Sequence, residues 1–387
     1  MNRLSSSVVD IKDHYEIVVI GSGYGGSIAA SRLARAGREV CLLERGKEIR
    51  PGEFPDTELE AAAEVQMNFP HEHVGPRTGL YNFHINDDMS VAVGCGLGGT
   101  SLINANVAVQ PDPRVFADSR WPRAFRQDVD SLLQVGYRRA REMLKPTPYP
   151  DDFPRLPKME ALRKSAEALD AKFYPLPINV TFEEGVNHVG VPQNACRLCG
   201  DCATGCNHGA KNTTLMNYLP DAKNHGAVIF TEISVRTIER RGQRWLVHYE
   251  LIGSGAAAFD APASSLSADI VILAAGSMGS TEILLRSKQA GLPLSAQLGA
   301  RFSGNGDVGG AAYNCDVEIN AVAHGPRLRR REPVGPTITS AIDLRDTDDL
   351  EEGMIIEEGA INSPLARFLP KILAAAAKVS GIDTDAG

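Results

Sequence analysis

The sequence predicts an α/β fold: a Rossmann-like, discontinuous parallel sheet beside a second domain of α+β character. Three observations point there. Gly21-Ser-Gly23-Tyr-Gly-Gly26 directly follows a short β-branched run. A second glycine run, Gly94-Cys-Gly-Leu-Gly98-Gly99-Thr-Ser-Leu-Ile-Asn104, comes later. A third apolar run, Asp269–Leu273, ends in Ala-Ala-Gly276-Ser.

The elements follow in order. Glu16–Ile20 is short, apolar and β-branched, which fits a buried central strand. Ser27–Ala36 places small and apolar residues at helical spacing, and Gly37 stops it as a residue past a C-cap. Glu39–Leu43 reads as the second strand, closed by Glu44. In this strand–turn–helix–strand unit Gly21 permits a tight turn. Gly23 lets bare backbone approach a pyrophosphate, and Gly26 lets the helix pack on the strand. The helix N-terminus offers free N–H groups to phosphate. Glu44, 18 residues after Gly26 (44 minus 26), stands where a carboxylate accepts from ribose hydroxyls. The motif alone does not separate FAD from NAD, and a tightly packed unit without ligand stays open.

In the second glycine run, backbone can approach a flat or charged ligand, with Asn104 and Asn106 as hydrogen-bonding side chains. A surface loop of tight turns is the alternative. Asp269–Leu273 is expected to return to the first sheet, and Ser280–Arg286 to form a helix behind it.

Composition narrows the function. The chain has 387 residues, 43% hydrophobic and 23% charged, which fits a globular protein of two domains. A net charge of −8 argues against a nucleic-acid surface. No stretch reaches membrane-spanning length without charge, and the first residues lack an apolar signal core. Phe368–Lys378 is expected to be an ordinary amphipathic helix, and Arg327–Glu332 a solvated loop. Pro111–Pro113 and Pro146–Pro154 punctuate domain crossings.

These motifs together resemble the glucose–methanol–choline (GMC) oxidoreductases, FAD enzymes that oxidise alcohols. The carrying residues are Gly21–Gly26, Leu43-Glu44-Arg-Gly, Gly94–Asn104 and Ala274-Ala-Gly276-Ser-Met-Gly-Ser. Within the family the cholesterol oxidase-like branch is most similar, through Gly98–Asn104 and Leu298–Asp307. The resemblance implies that Gly21, Gly23 and Gly26 hold the pyrophosphate and Glu44 the ribose. It sets Gly98, Gly99 and Asn104 along the flavin, Val235 against the adenine, and Gly276 on the same cofactor surface. It implies an apolar alcohol as substrate and oxygen or a redox protein as electron acceptor. Glu357, in Met354-Ile-Ile-Glu357-Glu, resembles the active-site glutamate of that branch; an exposed acid in an acidic stretch is the alternative reading. The family's catalytic histidine lies in its last part, and here no histidine follows His324. The fold is therefore expected to be C-terminally incomplete, and a non-catalytic FAD-binding remnant is the rival expectation.

The expected division is 1–110 and 221–310 for the FAD domain, with 111–220 and 311–387 for the substrate domain. The second of these substrate segments is truncated.

Seven cysteines are present, and Cys196, Cys199, Cys202 and Cys206 fall within eleven residues. Such crowding argues against a disulfide framework and fits a reducing cytoplasm. The spacing C-x2-C-x2-C-x3-C is that of bacterial ferredoxins, though Asn207 replaces the proline that usually follows. An iron–sulfur cluster, a structural zinc and metal-free buried thiols all remain open, with His208 as a neighbouring donor.

Overall fold

The computed structural model describes residues 2–253, 264–311, 315–324 and 332–366. The Phe368–Lys378 segment and most of the Arg327–Glu332 run lie outside them.

The chain opens on β1 (His14–Ile20), α1 (Tyr24–Arg35) and β2 (Val40–Leu43). The helix begins earlier than its apolar spacing implied, because Gly23 is already its N-cap. Gly37 takes φ +74° just past its end, the left-handed turn that stops a helix. Next come α2 (Glu58–Ala63), β3 (Val65–Asn68), β4 (His73–Val74), β5 (Tyr81–His84) and β6 (Val91–Gly94). A capping box of Thr57 and Glu60 starts α2. The middle of the chain holds α3 (Arg123–Leu144), α4 (Pro157–Ala168), β7 (Lys172–Pro175), β8 (Gly185–Val186), β9 (Pro192–Gln193) and α5 (Tyr218–Asn224). Then follow β10 (Val228–Phe230), β11 (Ile233–Arg241), β12 (Arg244–Leu251), β13 (Ser264–Leu273) and α6 (Gly276–Gln289). The last described elements are β14 (Ser340–Asp343), β15 (Ile355–Glu357) and α7 (Ser363–Ala366).

The main sheet has the order β10-β2-β1-β13-β12-β11. Its first four strands are parallel, and β12 and β11 run antiparallel at one side. It therefore draws on residues 14–43 and 228–273, far apart in sequence. The Asp269–Leu273 run does return beside β1, as the end of a longer strand whose first half pairs with β12. A second sheet, β4-β3-β5-β6, leads into the second glycine run, and a third, β15-β14-β7, lies in the other part of the chain.

β1 is buried on both faces, so its alternate side chains feed two cores. Ile17 and Val19 pack with Ala30, Leu42, Leu97, Leu102 and Leu219. Val18 and Ile20 pack with Phe230, Val247, Leu266 and Ile283. Burying one such side chain contributes about 1.5–3 kcal/mol. The carboxyl ends of β1, β2 and β13 are thus held rigidly side by side, and the glycine turns hang from them.

Candidate functional site

Gly21 sits at φ +96° at the end of β1, and its N–H donates to the Leu43 carbonyl at 2.8 Å. A Cβ there would lie 2.5 Å from the Ala274 oxygen, so the turn passes directly under the β13–α6 connection. A Cβ on Gly26 would lie 1.9 Å from the Gly21 oxygen, which fixes how closely α1 approaches β1. Gly23 differs: a Cβ there would meet nothing within 4 Å. Packing does not demand this glycine, and it stands at the open N-terminus of a twelve-residue helix.

The second glycine run folds onto the first. Gly98 has φ +120° and Gly99 φ +56°, and a Cβ on Gly99 would lie 2.9 Å from the Gly23 Cα. Ser22 ties the two runs together. Its hydroxyl donates to Glu44 Oε2 at 2.6 Å and accepts from the Gly98 N–H at 2.9 Å. Thr214 adds a third strut, donating to the Gly98 carbonyl at 3.2 Å. Glu44 is buried; its Oε2 also accepts from the Ser22 N–H, and its Oε1 accepts from the Gly46 N–H at 2.7 Å. Oε1 keeps a lone pair for one further donor.

Between the two runs lies a cavity of about 400 Å³, lined by Gly21, Gly23, Glu44, Gly99, Val235 and Gly276 among others. Gly26, Gly98 and Asn104 stand behind it. Gly26 sets the helix approach and Gly98 carries the Ser22 link. Asn104 Nδ2 donates to the Tyr24 hydroxyl at 3.0 Å, anchoring the second run to the start of α1. Asn106 is fully buried at φ +74°, and neither atom of its amide has a hydrogen-bond partner in the structure.

Arg45, Arg77, Arg236 and Arg286 also line the cavity. Burial and the neighbouring Arg286 pull the Arg236 guanidinium below its ordinary value, even with Glu250 beside it at 3.4 Å. An anion in this cavity would relieve that strain on the charges. His84, with Glu282 at 3.9 Å from its Nδ1, is also held below its ordinary value, chiefly by burial. Thr214, Arg77, Arg236 and Arg286 have no local sequence signature; only the closed sheet brings them to the two glycine runs.

Glu357 ends β15 as an exposed residue and does not line this cavity. Desolvation, then Glu358 and Asp307, push its carboxyl above the usual range. The buried acid of the pair is Glu358, which accepts from the Thr339 N–H at 3.1 Å and pairs with Lys158 at 3.1 Å.

The four clustered cysteines line a second cavity of about 210 Å³, together with Lys211 and His208. All four are free thiols. Among the described residues no group of three or more His, Cys, Asp or Glu is arranged to hold a metal ion. This arrangement by itself supports neither a zinc ion nor an iron–sulfur cluster on Cys196, Cys199, Cys202 and Cys206. Burial, then the other thiols, raises Cys196 and Cys199 above the ordinary value. His208 is lowered by burial and by Arg197. Asn207, where ferredoxins carry proline, pins the loop to the first domain. Its Oδ1 accepts from the Gly52 and Phe54 N–H groups, both at 2.9 Å, and its Nδ2 donates to Asp56 at 2.7 Å.

No helix of the described residues is long and apolar enough to cross a membrane. Residues 15–303 match the GMC oxidoreductase family. A cholesterol oxidase of Mycobacterium tuberculosis is 31% identical over 338 residues, covering 81% of this chain and 56% of that protein. A cholesterol oxidase of Acinetobacter baumannii is 28% identical over 79% of this chain and 57% of its own length. A long-chain-alcohol oxidase of Arabidopsis thaliana is 27% identical over 56% of this chain and 26% of that protein. Among solved structures, pyridoxine 4-oxidase from Mesorbium loti overlaps with a TM-score of 0.46 at 17% identity, covering 70% of this chain and 52% of that one. The chain thus spans little more than half the length of the cholesterol oxidases it matches. With both glycine runs, Glu44 and the β13–α6 turn inside the matched residues, the chain belongs to the GMC oxidoreductase family.

Proposed function

We propose that this chain carries the FAD site of a flavoenzyme that oxidises a secondary, sterol-like alcohol, with oxygen or a redox protein receiving the electrons. The observation that carries the reading is the 400 Å³ cavity walled by both glycine runs, Glu44, Val235 and Gly276. The residues present fit FAD. Gly23 leaves bare backbone at a helix N-terminus, Arg236 and Arg286 supply positive charge, and Glu44 Oε1 keeps a lone pair for a ribose hydroxyl. When bound, FAD supplies the hydride acceptor for the carbinol carbon. The chain's residues bind and orient that group, and a carboxylate takes the hydroxyl proton. Glu357 lies outside the cavity wall, and its resemblance to the active-site glutamate of the cholesterol oxidase-like branch makes it our candidate for that base. The sterol class is supported by the relatives named cholesterol oxidase, and the long-chain-alcohol oxidase is the source of the competing substrate class. Free thiols suit a reducing compartment such as the cytoplasm.

The test is anaerobic. The purified chain, loaded with FAD, is mixed with cholesterol and separately with a long-chain primary alcohol, and flavin absorbance is followed. Cholesterol should bleach the flavin. Glu357→Gln should slow bleaching about 100-fold or more while leaving FAD content unchanged. Bleaching by the chain-like alcohol alone would remove the sterol reading. Bound FAD that no alcohol reduces would leave a non-catalytic remnant. A chain that takes up no FAD would end the proposal.

A second reading, an iron–sulfur flavoprotein dehydrogenase of a non-sterol alcohol, is favoured by one observation: four cysteines at ferredoxin spacing around one cavity.

A further inference from the structure

We infer that Cys196, Cys199, Cys202 and Cys206 together hold one iron–sulfur cluster, and that the buried ammonium of Lys211 is its counter-charge. The inference deepens the iron–sulfur reading and rests on it.

The shape of the thiol ring comes first. Four thiolates on one zinc converge on a point at about 2.3 Å from the metal. Thiolates on a four-iron cluster each bind a separate iron, so they stand further apart around a larger volume. Here all four cysteines wall a single cavity of about 210 Å³.

The backbone around them is turned inward. Leu198 at φ +57°, Gly200 at φ +87°, Gly205 at φ +108° and Gly209 at φ +70° break the loop into tight left-handed corners. For Leu198 this conformation is uncommon and costs on the order of 1 kcal/mol or more. Its N–H points at Cys196 Sγ, 3.4 Å away. The backbone amide of Asp201 beside Cys199, and those of Lys211, His208 and Ala210 beside Cys206, favour the thiolate form. Successive inward amides of this kind make an anion-binding concavity, and N–H···S bonds help set the potential of a cluster.

Lys211 supplies the independent argument. It is 2% exposed, and its Nζ donates only to neutral carbonyls: Leu102 at 3.0 Å, Asn104 at 2.7 Å and Cys202 at 2.9 Å. Among the described residues no carboxylate pairs with it. A buried charge without an opposite charge is costly, several kcal/mol in real proteins. Lys158, the other buried lysine near Cys202, is already matched by Glu358 at 3.1 Å. The anion that Lys211 lacks is supplied if the thiols on the same cavity wall are bound as thiolates. From two ferrous and two ferric ions and four sulfides, assembly of a four-iron cluster breaks four S–H bonds, forms four S–Fe bonds and releases four protons to water, and no electron moves. Lys211 also joins the cysteine loop to the Leu102 and Asn104 carbonyls of the second glycine run, so the charge it balances lies directly behind that run.

The full chain is purified anaerobically, reconstituted with equal amounts of ferrous and ferric iron and with sulfide, and analysed by native mass spectrometry, iron and sulfide assay, and electron paramagnetic resonance with potentiometric titration. About four irons and four sulfides per chain are expected, as for one four-iron cluster held by four cysteines. Cys315→Ser, which removes an exposed thiol outside the ring, should keep them all. Lys211→Met should retain FAD content and circular dichroism but shift the cluster potential downward, since removing a positive charge disfavours adding an electron. An unmodified chain that takes up one zinc, or that keeps four titratable thiols after reconstitution, would overturn the iron–sulfur reading itself. A cluster of normal stoichiometry and unchanged potential in Lys211→Met would overturn the role of Lys211 alone.

Discussion

Gly23 and Gly26 look alike in the sequence and differ in the fold. The methyl of Gly26→Ala would sit 1.9 Å from the Gly21 oxygen, so helix and strand must separate. That overpacking should lower the stability of the FAD-free chain by about 1–3 kcal/mol. The methyl of Gly23→Ala meets nothing within 4 Å, and Gly23 lines the cavity. This variant should unfold within about 0.5 kcal/mol of the parent chain. Its FAD affinity should fall roughly 10- to 100-fold, the equivalent of a clash of about 1–3 kcal/mol. Urea denaturation and fluorescence titration with FAD separate the two effects. Equal loss of stability in both variants would show that Gly23 serves packing, not a phosphate. The residues that link the glycine runs, Ser22 and Thr214, were not legible in sequence. A serine between two glycines carries no sign that it will bond to a backbone N–H seventy-six positions away.

At the scale of elements, α1 is tied to α5 by a buried charge. Asp221 accepts from Arg35 Nε at 2.8 Å and from the Ser31 hydroxyl at 2.5 Å. Burial raises the Asp221 carboxyl, but Arg35 and Ser31 outweigh it and hold the group below its ordinary 3.8. A carboxylate depressed in the folded state contributes stability that is fully present above its unfolded value and lost as pH falls through the folded one. The stabilisation should therefore hold at neutral pH and disappear below about pH 4. Arg35→Ala leaves a carboxylate that is nearly fully buried with weaker partners, so stability at pH 7 should drop by about 2 kcal/mol. With Arg35 gone, burial dominates, and the acid limb of stability should begin at a higher pH than in the parent chain. Chemical denaturation from pH 3 to 7 reads both effects; an unmoved acid limb would exclude this pair. The strands and helices themselves were largely legible: β1, β2, α1 and α6 stand within a few residues of their apolar patterns. The β4-β3-β5-β6 sheet was not, because its strands span two to four residues and take their order from tertiary pairing. The thiol cavity was half legible. Spacing marks the four cysteines, but nothing local marks Lys211, which reaches them only once the second glycine run has folded against the loop.

At the scale of the molecule, the dinucleotide cavity is a junction of distant segments. Its wall draws on residues within 20–23, 43–45, 68–84, 93–100, 233–236 and 274–286. None of these segments closes the cavity alone, so a ligand that fills it must stabilise their mutual packing. Ligand binding to the folded state alone adds about 2.7 kcal/mol when FAD stands at one hundred times its dissociation constant. That gain should be shared across the wall, not confined to the first turn. Hydrogen–deuterium exchange with and without FAD should therefore show slowed exchange together at Ser22–Gly26, Gly94–Thr100 and Ser277–Ile283. The Arg123–Leu144 helix, of which only Met143 is buried and which adds nothing to the cavity wall, should exchange as before. Gly23→Ala, at equal FAD concentration, should lose the protection at all three segments at once. Protection limited to Ser22–Gly26 would mean that FAD rests on the first glycine turn alone. The second run would then owe its glycines to the tight packing of Gly99 against Gly23, and the claim that both runs enclose one ligand would fail.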